Sequence, residues 1–449
     1  MLKLQSTLVQ DTWVKAGQAG PRQTLTGVDI LHGHVAVPAF FVYPQGLDAE
    51  RALQGLRDTL PHYPLISGRL VKDERGQVVC DGSDSGVQWR VLRCKGPTPV
   101  GEHRPPLGDI KAFYTSFMPW QVVGRNTPTL QVSIHQFDDG GATLAMRIVH
   151  SQFDGSSLFG FMKDWSRACL GQPVVGQTFD RDQMIRIGAG TPLPAQALGM
   201  ISRPPLTHFM SVMARLGWRA LVDIRKEVFR LPATAIQHWQ AQASAQRPDE
   251  HAPNAARLAS AYVMKALDPH LPKGQDRYLG MVLDMRYVKG LGLSRDYFGN
   301  ALCYPEASVS EAAARDSSLI ELARQLKPDA EQLTAGYLSQ VISVLEHARL
   351  QNDVPRLLLG PAAHNLGASI FQNNCSQLPV YDFDFGTGPA RWYDTIPMTI
   401  RMMTLTPTPD KDGGVDIHLC GSTVERNALR ACLVADGIAP HPSQMGLAA

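Results

Sequence analysis

Residues 129–170 read TLQVSIHQFDDGGATLAMRIVHSQFDGSSLFGFMKDWSRACL, and this stretch decides the fold class. Two runs, 129–135 (TLQVSIH) and 142–150 (ATLAMRIVH), alternate apolar and polar side chains, the period of a strand with one buried face. Between them QFDDGG supplies paired Asp and Gly, the chemistry of a tight turn, so the runs predict a β-hairpin. Beyond His150 the period changes. Leu158, Phe161, Met162, Trp165, Ala168 and Cys169 recur at helical spacing, predicting a helix over about 157–170 with Ser156 or Ser157 as its N-cap.

His150 therefore ends a strand and is followed by Ser151-Gln152-Phe153-Asp154-Gly155 and a helix. Sheet-based enzymes commonly present reactive groups at such strand ends. An imidazole there can act as a general base near neutral pH. The pattern His-x-x-x-Asp-Gly is weak alone, because His135-Gln136-Phe137-Asp138-Asp139-Gly140 repeats it fifteen residues earlier. Those Asp and Gly residues lie in the hairpin turn, so His135 reads as structural.

Working outward, the same alternation of strand and helix signals fills the chain. Residues 36–43 (AVPAFFVY) form a short apolar run typical of a buried strand, and Asp48–Leu60 carries Ala52, Leu53, Leu56 and Leu60 at helical spacing. After a Gly/Pro-rich stretch over 171–210 the alternation resumes: a helix in NAARLASAYVMKAL capped by Asn254, a strand in RYLGMVLDMRY, a helix over 310–326. A hairpin turning at PDKDGG and a last helix in VERNALRACLVADG follow. The reading is two α/β halves, 1–180 and 226–449, joined by an irregular crossover over 181–225.

Composition sets the frame. The 449 residues are 44% apolar and 19% charged, which fits a globular protein and excludes a disordered one. With 43 Lys+Arg against 41 Asp+Glu there is no basic excess for nucleic acid. No window approaches a membrane span, and the N-terminus lacks a secretory apolar core. Seven scattered cysteines without a CxxC pair fit free thiols in a reducing, cytoplasmic setting. His32, His34, His62 and the other histidines show no metal-ligand spacing, so no metal is expected.

Further motifs join His150 and Asp154. They are Leu25-Thr26-Gly27-Val28-Asp29, Tyr63-Pro64-Leu65-Ile66-Ser67-Gly68-Arg69-Leu70, Tyr297-Phe298-Gly299-Asn300-Ala301 and Asp384-Phe385-Gly386-Thr387-Gly388. In this order and spacing the set resembles the BAHD acyltransferases, from about residue 7 to residue 433. The resemblance implies two chloramphenicol-acetyltransferase-like α/β domains, mixed sheets flanked by helices, with a channel between them. It implies a mostly monomeric enzyme with no permanently bound cofactor. The enzyme would move an acyl group from acyl-CoA to the hydroxyl or amine of a small molecule, with His150 as general base.

By the same resemblance Asp154, with Gly155, braces the catalytic loop through a salt bridge to an arginine. Arg286 is a candidate partner, and Asp384 is a second carboxylate that could claim it. The Asp384–Gly388 loop, with Gly386 and Gly388 for a tight bend, reads as structural. Asn373 falls where the family's Thr helps hold the oxyanion, and its amide can donate such a hydrogen bond. Asn254 matches the family's position near the CoA phosphates, with Lys265 and Lys289 as charge partners. Cys375 and Thr387 replace tryptophans of the plant pattern, pointing to a bacterial or fungal branch. Two alternatives stand beside this reading: a condensation-type enzyme with a carrier-protein donor, in which a second His usually replaces Val149, and a non-catalytic scaffold.

Overall fold

The computed structural model describes residues 4–99, 113, 117–222, 224–395, 398 and 400–439. Among them, the hairpin is the centre of the first of two six-stranded mixed sheets. Strands Leu130–Phe137 and Ala142–Val149 pair antiparallel, and Gly140 at φ 87° makes the turn. The strand order is Ser6–Val14, Val87–Cys94, Leu130–Phe137, Ala142–Val149, Ala36–Tyr43, Trp392–Asp394. Helices Ala49–Thr59 and Gly155–Cys169 cover one face, sharing a core with Leu144, Met146 and Ile148. Trp165 ties the two helices together, its indole donating to the Ala52 carbonyl at 2.7 Å.

The second sheet runs Arg225–Leu231, Val415–Gly421, Met402–Pro407, Ser369–Asn374, Arg277–Met281, Glu306–Val309. Its core is filled by helices Ala255–Leu267 and Thr423–Ala435. This is the two-sheet α/β architecture expected from the sequence. No helix among the described residues is long and apolar enough to cross a membrane.

Three expectations change. Strand Ala142–Val149 is buried at every position rather than at alternate ones. Its second face, with Ala145, packs with Phe40, Trp392 and Val228 of the other sheet, so the two units cover each other. The crossover is not irregular either. Helices Asp182–Ala189 and Leu206–Val222 lie within it, and Gly188 approaches Glu346 so closely that a Cβ would stand 2.6 Å from its Cγ. The range 310–326 breaks into Glu311–Asp316 and Leu319–Gln325, because Ser318 caps a new helix by accepting from the Glu321 N–H.

The sheets also depart from a division at residue 226. Strand Trp392–Asp394 pairs antiparallel with Ala36–Tyr43 and forms the edge of the first sheet. The loop before it sinks Val380, Tyr381, Phe383 and Phe385 into the first core. Late sequence therefore completes the unit that carries His150.

Candidate active site

His150 follows the last residue of strand Ala142–Val149 and is half-buried. Its backbone is held at both ends. Its N–H donates to the Val35 carbonyl at 3.0 Å, and its carbonyl accepts from the Asn300 amide at 2.8 Å. Burial pushes the imidazole below its ordinary value of 6.5, against its own carbonyl, Asp154, Asn300 and Asp29, which favour the protonated ring. The ring is thus neutral at neutral pH and can accept a proton. Nδ1 is buried without a hydrogen-bond partner.

Four residues on, Asp154 caps helix Gly155–Cys169 by accepting from the Ser157 N–H at 2.9 Å. The cap is thus Asp154 and not Ser156 or Ser157. The Ser157 hydroxyl is taken by Gly299, donating to its carbonyl at 3.0 Å. Asp154 is fully buried and pairs with both Nη atoms of Arg286, at 2.9 and 3.1 Å, while the Ala301 N–H gives a further bond at 2.9 Å. Burial alone would raise this carboxyl, but the Arg286 guanidinium and the N–H donors hold it below its ordinary value. Arg286 also donates to Tyr297 and Gly299 carbonyls and to Asp284 at 2.9 Å. Gly155 needs no special role: a Cβ there would meet nothing within 4 Å.

Asp384 is not the partner of Arg286. Its Oδ1 accepts from the Gly386 and Gly388 N–H groups at 2.7 and 2.9 Å, closing its own loop, where both glycines have φ above 100°. Phe385 packs edge-on against Trp165 at 4.7 Å, which seats the loop on the helix that begins at Asp154. Asp384→Ala unpairs those two N–H groups and should cost about 1.5–3 kcal/mol, whereas Asp384→Asn keeps the acceptor. Thermal melts should rank parent and Asn above Ala, and activity per folded molecule should change little.

A second ion pair lies behind His150. Asp29 caps its own short helix with Thr26, binds Arg181, and accepts from both the N–H and the amide of Asn300 at 2.9 Å. Asn300 thereby links Asp29 to the His150 carbonyl. Both motifs were visible in the sequence, but nothing in either assigned a contact. His32, which the sequence offered only as a histidine without metal-ligand spacing, lies beside the base. Its ring lies 4.7 Å from that of His150, centroid to centroid, with 31° between planes.

The remaining candidates are scattered. Asn373 lies half-buried on strand Ser369–Asn374, where its Oδ1 accepts from the Cys375 thiol at 3.5 Å, a contact that does not engage its amide nitrogen. Asn254 is exposed and caps helix Ala255–Leu267 by accepting from the Arg257 N–H at 2.9 Å. Lys265 sits in the last turn of that helix, about 15 Å along its axis, donating to the Arg315 and Ser317 carbonyls at 3.1 and 2.7 Å. It serves a helix end instead of a phosphate at Asn254. Lys289 is exposed in a turn. A cavity of about 330 Å³ does open at Ala255, lined also by Ser376, Gln377, Lys411 and Gly413, and by neither Lys265 nor Lys289.

A model of the Transferase family matches residues 5–427. The chain is a BAHD acyltransferase. This BAHD protein is 24% identical over 450 residues to hydroxycinnamoyl-CoA:5-hydroxyanthranilate N-hydroxycinnamoyltransferase of Avena sativa, covering 92% of this chain and 96% of that one. It is likewise 24% identical to shikimate O-hydroxycinnamoyltransferase of Nicotiana tabacum, covering 91% and 95%. Among solved structures, vinorine synthase superposes with a TM-score of 0.70 at 18% identity, covering 98% of this chain and 100% of that one. This BAHD enzyme is accordingly an acyl-CoA-dependent acyltransferase.

Proposed function

We propose that His150 is the general base for direct acyl transfer from acyl-CoA to a small-molecule hydroxyl or amine, with no acyl-enzyme. The observation that carries this reading is the neutral, half-buried imidazole at the strand end, braced from behind by the Asp154–Arg286 pair. The acceptor O–H or N–H gives its proton to His150 as the oxygen or nitrogen bonds to the thioester carbonyl carbon. The tetrahedral intermediate then expels CoA thiolate as the C–S bond breaks. His150 returns the proton to sulfur, so the base is regenerated within one turnover. A positioned base of this kind contributes about 10²–10⁴ in rate.

Asn373 is assigned the oxyanion, its side-chain amide donating where charge develops, a contribution of about 10²–10³. The CoA phosphates are assigned to the cavity at Ala255, where free helix N–H groups favour anions. Asn254 stands at that helix end, and Lys411 brings an ammonium to the cavity wall, where it is paired with Asp382 of the same lining. Support for CoA comes from a structural relative, F. graminearum TRI101, solved with coenzyme A and T-2 mycotoxin. The 5-hydroxyanthranilate and T-2 mycotoxin named for the relatives support a small secondary metabolite as the acceptor in this reading. Action as a cytoplasmic monomer completes the reading.

Thiol release should be followed with a panel of acyl-CoAs against alcohols and amines. CoA should appear only with both substrates present, and initial-rate plots should intersect, the pattern of a ternary complex. Parallel plots with a burst of thiol would signal an acyl-enzyme. Turnover of carrier-loaded donors where acyl-CoAs fail would select the condensation-type alternative.

A further inference from the structure

We infer that His32 is a positioning residue for His150: fixed at both ring nitrogens, it lays its ring against the face of the base and keeps that face dry. The inference rests on His150 being the base, but the observation is separate. His32 follows the short helix Gly27–Leu31, and Tyr304 follows strand Leu302–Cys303, so three distant segments meet at one ring.

The hydrogen bonds determine the state of His32. Its Nδ1 lies 2.7 Å from the Val28 carbonyl, which can only accept, so Nδ1 carries the proton. Nε2 of the neutral ring must then accept, and its partner is the Tyr304 hydroxyl. With both nitrogens committed, a ring flip would break two bonds. The remaining surface of His32 is its face, and that face is what His150 meets. Ring pairs at this separation are attractive beyond the area they bury.

Neutrality matters as much as shape. Burial, then the charge of His150, hold His32 down to about 4, so at neutral pH its ring is uncharged and keeps the tautomer its two hydrogen bonds require. The other groups facing the pair are Asp154, Asp29, Asn300 and Tyr304. His34 stands beside them, bonded to the Ser151 hydroxyl at 2.7 Å. Each carboxylate is matched by an arginine, Arg286 for Asp154 and Arg181 for Asp29. Asp154 and Asp29 still favour a protonated His150, and the burial of its ring outweighs them.

The test uses the full-length chain with carbon-labelled histidine, titrated by NMR without substrate, and His150→Ala identifies the His150 signal. In the parent that signal should titrate below 6.5. In His32→Ala it should move up toward 6.5 as water reaches the ring, and His32→Phe, which restores a ring on that face, should bring it back down. Tyr304→Phe, which frees one nitrogen of His32, should fall between. With a donor–acceptor pair found by thiol release, His32→Ala should lose about 10-fold in kcat. KM for acyl-CoA should hold, and the acid limb of the rate profile should shift with the NMR value. A His150 titration unmoved in both His32→Ala and Tyr304→Phe, each melting as a folded protein, would overturn the inference. Should His32→Ala fail to fold, Tyr304→Phe and His32→Phe carry the same comparison. Full activity in His150→Ala would instead overturn the base assignment itself, which separates the two failures.

Discussion

His150→Ala should abolish CoA release while leaving the melting temperature nearly unchanged. The loss is expected at about 10²–10⁴ in kcat, the value of a positioned general base. Stability should survive because the ring is half-buried, its Nδ1 makes no hydrogen bond, and the backbone bonds to Val35 and Asn300 do not depend on the side chain. His135→Ala is the matched control. That ring is 2% exposed, packs edge-on to Phe113 at 5.1 Å, and lies 3.3 Å from the Thr143 hydroxyl. Its removal should lower the melting temperature and leave activity per folded molecule intact. An inactive His135→Ala beside an active His150→Ala would reverse the assignment.

Arg286→Met should be the most destabilising of these substitutions. It leaves the Asp154 carboxylate fully buried without its cation, and breaking such a pair costs about 3–5 kcal/mol. Activity should fall with stability, because the same guanidinium ties Gly299 and Tyr297 to the loop that carries His150. Arg286→Lys should rescue poorly. An ammonium cannot reproduce a fork that reaches two carboxylates, a hydroxyl and two carbonyls. Denaturant melts give the free energies, and the pH series gives the sign. Asp154 is held below 3.8 when folded, so its contribution is complete above that value and is lost as pH falls through the lower folded value. Parent and Arg286→Met should therefore converge in stability at acid pH. A constant gap down to that range would contradict the pairing.

Much of this was legible in the sequence because it is local. The hairpin, the helix behind it and the Asn254 cap all follow from side-chain period and turn chemistry within a few neighbouring residues. Asp154 and Arg286 were candidate partners, but only the fold decides that Asp384 spends its oxygens on Gly386 and Gly388 instead. Lys265 illustrates the opposite error: ten residues on from the helix start it shares the element and not the site. His32 was invisible for a physical reason. Its meaning depends on Tyr304 and His150, and no spacing rule connects a residue at each end of such separations. The full burial of Ala142–Val149 was missed similarly, since the face that should meet water is covered by a second unit.

The edge strand Trp392–Asp394 has a consequence for how the chain is made. Ribosomes add about 5–20 residues per second, so its partner Ala36–Tyr43 waits roughly 20–70 s for this edge to be synthesised. Throughout that interval a nascent chain carries Phe40, Phe41 and Val42 beside an open sheet edge, the template on which chains aggregate. Folding of the His150 unit is thus completed only near the end of translation, and a message truncated between the two halves yields an adhesive fragment instead of a working half.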